Sequence, residues 1–219
     1  MAIAKVCGIE TEYGIIVRGT ESETYTNPVA ASSLLITAYL SSGRGLVGWD
    51  FNDEHPGTDA RGFRVDDLLA PEIETHLVNA VLTNGARYYV DHAHPEISTP
   101  ECATAREALL FDRAAEEIVR ASMLAARTLL PDGAEVVCHK NNSDGKGNSY
   151  GTHENYLVAR STPFGRIVHQ ITPHFVTRQI AVGAGKVGCE FPGISHSAVP
   201  FQVSSPDDVE LAIHACATA

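Results

Sequence analysis

Apolar and polar positions change period several times along this chain, and each change marks an element. Residues 5–17 are rich in Ile, Val and Tyr, which predicts a strand or a strand pair. Asn27-Pro28 sets up a helix start, with Asn as N-cap and Pro at the first helical position, and the helix runs through Leu40. Between residues 41 and 67 no period survives, and glycines, aspartates and Trp49 share an irregular stretch. Residues 80–82, the turn Thr83-Asn84-Gly85 and residues 86–92 predict a β-hairpin, because Asn-Gly suits a tight two-strand turn. Thr104-Ala105-Arg106-Glu107 is a capping-box pattern. It opens a helix to about Leu130, with Leu110, Ala114, Ile118, Ala121 and Ala125 on one stripe, closed by Pro131-Asp132-Gly133. A strand at 135–139, a polar turn at 141–148, a strand at 154–159 and a helix at 163–182, with a break expected at Pro173, complete the pattern. This order predicts an α+β domain, an antiparallel sheet with helices packed on one face.

Composition adds limits rather than a function. The 219 residues suffice for one sizeable domain, and 44% hydrophobic residues is an ordinary globular share. Acidic residues outnumber basic ones 27 to 16, and a net charge of −11 opposes general nucleic-acid binding. A local basic pocket for a nucleotide remains compatible with it. The cysteines Cys7, Cys102, Cys138, Cys189 and Cys216 are scattered and form no CxxC pair. Reduced thiols in a cytoplasmic protein are the simplest reading. No signal-peptide pattern opens the chain and no apolar run of about 18 residues occurs, so neither export nor membrane spanning is expected. Oligomeric state is not encoded in any of this.

Period two locates the candidate chemistry. Alternate strand residues share a face, so Glu10 and Glu12 point together, as do Arg87, Tyr89 and Asp91, and His153 and Asn155. Polar rows on three strands suggest an oxygen-rich magnesium site with an anion-binding arginine. A solvated sheet face with ordinary cross-strand ion pairs is the bland alternative. His92 and His94 could share a strand face opposite Asp91, but a third zinc ligand at a telling spacing is missing. Gly183-Ala184-Gly185-Lys186 lacks the other positions of a phosphate-binding P-loop and reads better as a turn after a helix. Gly145-Lys146-Gly147-Asn148-Ser149 fits either a phosphate-facing turn or a plain one. Cys138 and His139 are adjacent, so on a strand they face apart and make a weak nucleophile–base pair.

Several of these segments carry a resemblance. Gly8-Ile9-Glu10-Thr11-Glu12-Tyr13-Gly14, Asn84-Gly85-Ala86-Arg87-Tyr88-Tyr89-Val90-Asp91 with His94-Pro95-Glu96, Lys140-Asn141-Asn142-Ser143-Asp144, Gly147-Asn148-Ser149-Tyr150-Gly151-Thr152-His153-Glu154-Asn155-Tyr156 and Thr177-Arg178-Gln179 closely resemble the Pup ligase/Pup deamidase family. That family is related to the carboxylate-amine ligases, including glutamine synthetase. The resemblance spans about residues 3–204 and is closer to the deamidase branch, whose longer insertion residues 41–67 resemble.

The resemblance implies a glutamine-synthetase-like catalytic domain that uses ATP and Mg2+ and acts on Pup and pupylated proteins. It implies magnesium ligands at Glu10, Tyr89, Glu96 and His153, nucleotide contacts at Arg87, Thr99 and Asn155 with Glu12 beside them, and a catalytic aspartate at Asp91. The implied activity is deamidation of the C-terminal glutamine of Pup and removal of Pup from modified lysines. The alternatives are the Pup ligase reaction, an inactive remnant that binds Pup or nucleotide, and a small-molecule carboxylate-amine ligase. Family members are much longer, so residues 1–205 are expected to be the N-terminal part of an apparently truncated catalytic domain and residues 206–219 a divergent tail.

Overall fold

A computed structural model describes residues 6–43, 46–48, 78–141, 150–159 and 161–182. The first apolar run is a strand pair: β1 (Cys7–Glu12) and β2 (Gly14–Arg18). Tyr13 between them is buried, and its N–H donates to the Pro95 carbonyl at 3.0 Å. The chain changes sheet at this point. β1 joins a six-stranded antiparallel sheet, while β2 forms a two-stranded sheet with β7 (Glu135–His139).

The large sheet has the order β3-β4-β5-β6-β1-β8. Its other strands are β3 (Leu46–Val47), β4 (Asn79–Leu82), β5 (Arg87–Asp91), β6 (His94–Ser98) and β8 (Thr152–Tyr156). The Asn-Gly hairpin forms as expected, with Gly85 at φ 86° and the Asn84 side chain accepting the Ala86 N–H at 3.0 Å. Three details differ from the sequence reading. The stretch read as irregular supplies β3, β8 begins at Thr152 and ends at Tyr156, and β6 is an additional strand. Trp49 and most of residues 41–67 lie outside the described residues, as do 142–149 of the polar turn and the glycine motif at 183–186.

Two helices cover one face. A short α1 (Glu23–Thr26) precedes α2 (Pro28–Ser41), whose N-cap Asn27 accepts the Ala30 N–H at 3.1 Å. Next, α3 (Ala105–Ala126) opens with the full capping box: Thr104 Oγ1 accepts the Glu107 N–H at 3.1 Å, and Glu107 Oε2 accepts the Thr104 N–H at 3.2 Å. A 3-10 turn, Arg127–Leu129, finishes it.

The buried stripe of α3 is not the expected one. Ala108, Ala115, Val119, Ser122 and Ala126 face inward, while Leu110 is 60% exposed. Small side chains occupy the side turned to α2 and the sheet, where close approach of backbones leaves no room for leucine.

Beneath these helices, Tyr13, Ile36, Leu82, Tyr88, Val90, Ile97 and Val119 form one core cluster. Ile15, Ala31, Leu35, Ala126 and Val136 form a second under the small sheet. Each large side chain here contributes about 1.5–3 kcal/mol by leaving water. Finally, α4 (Phe164–Val182) runs unbroken through Pro173, where a break was expected. Arg178 ties it to β8 by donating to both Glu154 carboxylate oxygens, at 2.9 and 3.0 Å. The architecture is α+β with helices on one face of an antiparallel sheet, as the pattern predicts. Among the described residues, no helix is long and apolar enough to cross a membrane.

Candidate active site

With one face of the sheet buried under helices, the alternate residues of the same strands turn to the other face. On β5 the alternation is complete: Tyr88 and Val90 are buried, whereas Arg87, Tyr89 and Asp91 are half-buried on the opposite side. Strand register extends these positions sideways. Arg87 pairs with Ser98, Ser98 with Glu10 and Glu10 with His153. Tyr89 pairs with Glu96 and Glu96 with Glu12. Asp91 pairs with His94. Four strands thus deliver three transverse polar rows to one surface.

Specific contacts hold the rows. Glu10 Oε2 lies 3.0 Å from His153 Nδ1. Tyr89 Oη lies 3.2 Å from Ser98 Oγ. Arg87 Nε donates to Asn79 Oδ1 at 2.8 Å, which fixes the plane of the guanidinium. Glu12 Oε2 accepts the Gly151 N–H at 2.9 Å and stands 3.7 Å from His94 Nδ1. The His94 ring meets Tyr150 edge-on at 4.8 Å, and the Tyr150 ring covers Gly14 so closely that a Cβ there would approach it to 2.7 Å. Only glycine leaves space for that ring.

Glu96 breaks the alternation of β6: it is 2% exposed although it belongs to the polar face. Burial raises its pKa from 4.5 to about 7, opposed by the Tyr89 hydroxyl and reinforced by Asp91, Glu10 and Glu12. Burial likewise holds the Tyr89 phenol far above its ordinary range, so it stays protonated. Glu96 also belongs to two potential ligand groups. Glu10, Glu96 and His153 can each bring a donor atom within 4.8 Å of the others, and so can Glu12, Asp91 and Glu96. A surplus of negative charge out of water, supplied mostly by carboxylate oxygens, is the environment a hard divalent cation such as Mg2+ prefers.

The remaining candidates sit around this centre. Asn155 lies one step farther along the face of β8, opposite Gly8. With Glu10, His153, Phe175 and Arg178 it lines a cavity of about 370 Å3. Thr99 lies just beyond β6, off the rows, and its Oγ1 accepts the Ile9 N–H at 3.0 Å. Asp91 ends β5, with its side chain 39% exposed and Oδ2 3.1 Å from His92 Nδ1. His92 occupies the turn at φ 51°, and His94 begins the next strand opposite Asp91. The two histidines therefore do not share a strand face, because a turn separates them, and neither belongs to the two ligand groups found among the described residues.

Cys138 and His139 also fail as a nucleophile–base pair. Burial pushes the Cys138 thiol up to about 12, opposite to what a nucleophile needs. Sequence reasoning weighed His94 only as a zinc ligand and missed Ser98 and Tyr150. The first two were open to the period-two argument once β6 is taken as a strand, since His94, Glu96 and Ser98 alternate.

Known proteins resemble this chain over most of its length. The family model described as Pup-ligase protein matches residues 5–215. The chain is 46% identical over 212 residues to a depupylase of Acidothermus cellulolyticus, covering 93% of this chain and 41% of that protein. It is 41% identical over 216 residues to the Pup deamidase/depupylase of Mycobacterium tuberculosis, again covering 93% of this chain and 41% of the relative. A Pup–protein ligase of Nocardioides is 46% identical over 123 residues, 54% of this chain and 27% of that one. Among solved structures, the complex between the prokaryotic ubiquitin-like protein Pup and its ligase PafA matches with a TM-score of 0.63 at 26% identity, covering 89% of this chain and 34% of that one. The chain therefore spans about two-fifths of the length of the depupylase relatives.

Proposed function

The chain belongs to the Pup-ligase protein family, and on that premise we propose that it carries the active-site part of an ATP- and magnesium-dependent amide hydrolase. Its substrates are Pup ending in glutamine, which it deamidates, and pupylated proteins, from whose lysines it removes Pup. Residues 1–205 are the N-terminal part of the catalytic domain and residues 206–219 a divergent tail. The deamidase reading is preferred to the ligase reading because the depupylase relatives align over 93% of the chain and the ligase over 54%. Scattered cysteines with no CxxC motif suit a cytoplasmic setting.

The observation that carries the reading is the convergence of Glu10, Glu12, Asp91, Glu96 and His153 around a buried carboxylate with a raised pKa. This donor set fits magnesium, which Glu10, Tyr89, Glu96 and His153 would hold. When bound, the cation neutralises the carboxylates and polarises oxygens of substrate and nucleotide. Arg87, oriented by Asn79, would hold the nucleotide phosphates. Thr99 accepts the Ile9 N–H through its oxygen, which fixes it beside β1. Asn155 contributes at the cavity beside β8, and Glu12 steadies the approach by gripping the Gly151 N–H.

Asp91 is the group presented for chemistry. An amide carbon is a weak electrophile and an amine a poor leaving group. The Asp91 carboxylate either attacks that carbon or takes a proton from an attacking water. Its half-exposed place at the end of β5 leaves room for a peptide terminus.

The test is incubation of the chain with ATP, Mg2+ and Pup ending in glutamine, read by mass spectrometry. Conversion of the terminal amide to an acid supports the reading. Conjugation of glutamate-ended Pup to lysine favours the ligase. Binding without conversion marks a chain that recognises Pup but does not cut.

A further inference from the structure

On the helix-covered face, away from the polar rows, two cysteines meet. Cys7 opens β1, and Cys102 lies in the segment between β6 and α3. They form an antiparallel bridge, joined by both backbone hydrogen bonds: Cys7 N–H to the Cys102 carbonyl at 2.9 Å and Cys102 N–H to the Cys7 carbonyl at 2.7 Å. Residues opposed in this way have Cα atoms about 5.5 Å apart and project their side chains to one side. A disulfide needs Cα atoms about 4.4–6.8 Å apart and Cβ atoms about 3.5–4.5 Å apart; a hydrogen-bonded pair holds its Cβ atoms about 5.5 Å apart, so closing this bridge draws the strands together by about 1 Å and leaves the bond strained and easily reduced.

Both thiols are free, and both line a cavity of about 550 Å3 with Ile9, Ala105, Ala108 and Leu157. Cys7 is half-buried, while Cys102 is 1% exposed and its Sγ–H donates weakly to the Pro100 carbonyl at 3.1 Å. We infer that Cys7 and Cys102 form a redox-modifiable pair, closed to an intrachain disulfide by a low-molecular-weight disulfide oxidant.

The geometry sets the order of events. The Cys7 thiolate, reached through the cavity, attacks one sulfur of the oxidant and expels the other as a thiolate. Cys102 then attacks the Cys7 sulfur of the mixed disulfide and expels the second thiolate. The protein loses two protons and two electrons, and one oxidant disulfide becomes two thiols. Burial raises the Cys102 pKa, so this second step is the slower one.

The closed loop would enclose Glu10, Glu12, Arg87, Tyr89, Asp91 and Glu96, leaving His153 and Asn155 outside it. Cys138 cannot compete from its place opposite Ile15 on β7.

The experiment treats the full chain with oxidised glutathione, blocks remaining thiols after denaturation, and maps peptides without reduction. The expected result is a peptide pair linked through Cys7 and Cys102, reversed by dithiothreitol. The C102A variant should stop at a glutathione adduct on Cys7, and C7S should lose the link. An unresolved Cys7–glutathione adduct in the unaltered chain overturns the inference. So does a blocked, unlinked Cys102, or linkage of either cysteine to Cys138, Cys189 or Cys216.

Discussion

Glu10 and His153 meet across adjacent antiparallel strands, Oε2 to Nδ1 3.0 Å apart, although 143 residues separate them in the chain. Their contact joins β8 to the acidic centre. Removing either donor should weaken Mg2+ binding by at least the roughly 10- to 100-fold that loss of a mere outer-shell partner costs. Calorimetric titration of E10Q and H153A with Mg2+ checks this. Affinities equal to that of the unaltered chain would remove both residues from the ligand set.

Glu96 makes the metal-free protein sensitive to pH. Its pKa rises from 4.5 to about 7 in the folded state, mainly through burial. The native state therefore binds more protons than the unfolded state between those values. The stabilisation is complete below about pH 4.5 and lost as pH climbs through about 7, on the order of 3 kcal/mol. Melting curves across that window in EDTA should show the decline, and E96Q should flatten it. Mg2+ should restore stability most at the alkaline end, where it no longer competes with a proton.

Asp91 is solvent-accessible and outside both core clusters, so its role separates cleanly from folding. D91N should lower Pup deamidation by about 10²- to 10⁴-fold. Nucleotide binding and the melting midpoint should stay close to those of the unaltered chain. Full activity in D91N would dismiss it as the catalytic aspartate.

Gly14 supports the site by being small. In G14A the new Cβ meets the Tyr150 ring at 2.7–2.8 Å. The ring is a side-chain end and can swing aside, so the stability loss should be about 1 kcal/mol or less. The displaced ring would leave His94 and loosen the Gly151–Glu12 hydrogen bond, so turnover should fall by more than the melting temperature suggests. Steady-state kinetics beside thermal denaturation distinguishes the two effects.

What the chain displays locally and what it hides follow from one distinction. The Glu10/Glu12, Arg87/Tyr89/Asp91 and His153/Asn155 faces were legible because strand geometry fixes a period of two. The α2 cap and the α3 capping box were legible because each is completed within a few residues. β6 was hidden by Pro95, which argues against a strand, and by His92-Ala93, a turn with no Gly or Asn to announce it. The inward side of α3 was misread because apolar residues occur on both sides. Leu109, Leu110 and Leu124 are exposed, while alanines make the close contacts. That Glu96 belongs to both ligand groups follows from the strand order, which no local pattern records.

Among the described residues, β8 is an edge strand of the large sheet, and no residue after Cys138 enters either core cluster. Yet His153 and Asn155 ride on that strand. Foldedness and competence are therefore separate properties of this molecule. A chain whose interior is fully formed can still lack His153, the last of the proposed magnesium ligands, until β8 zips onto β1. Melting curves follow the interior. Docking of β8 is better followed by hydrogen exchange at the backbone amides of residues 152–156, whose protection should appear in step with activity rather than with the bulk of the fold.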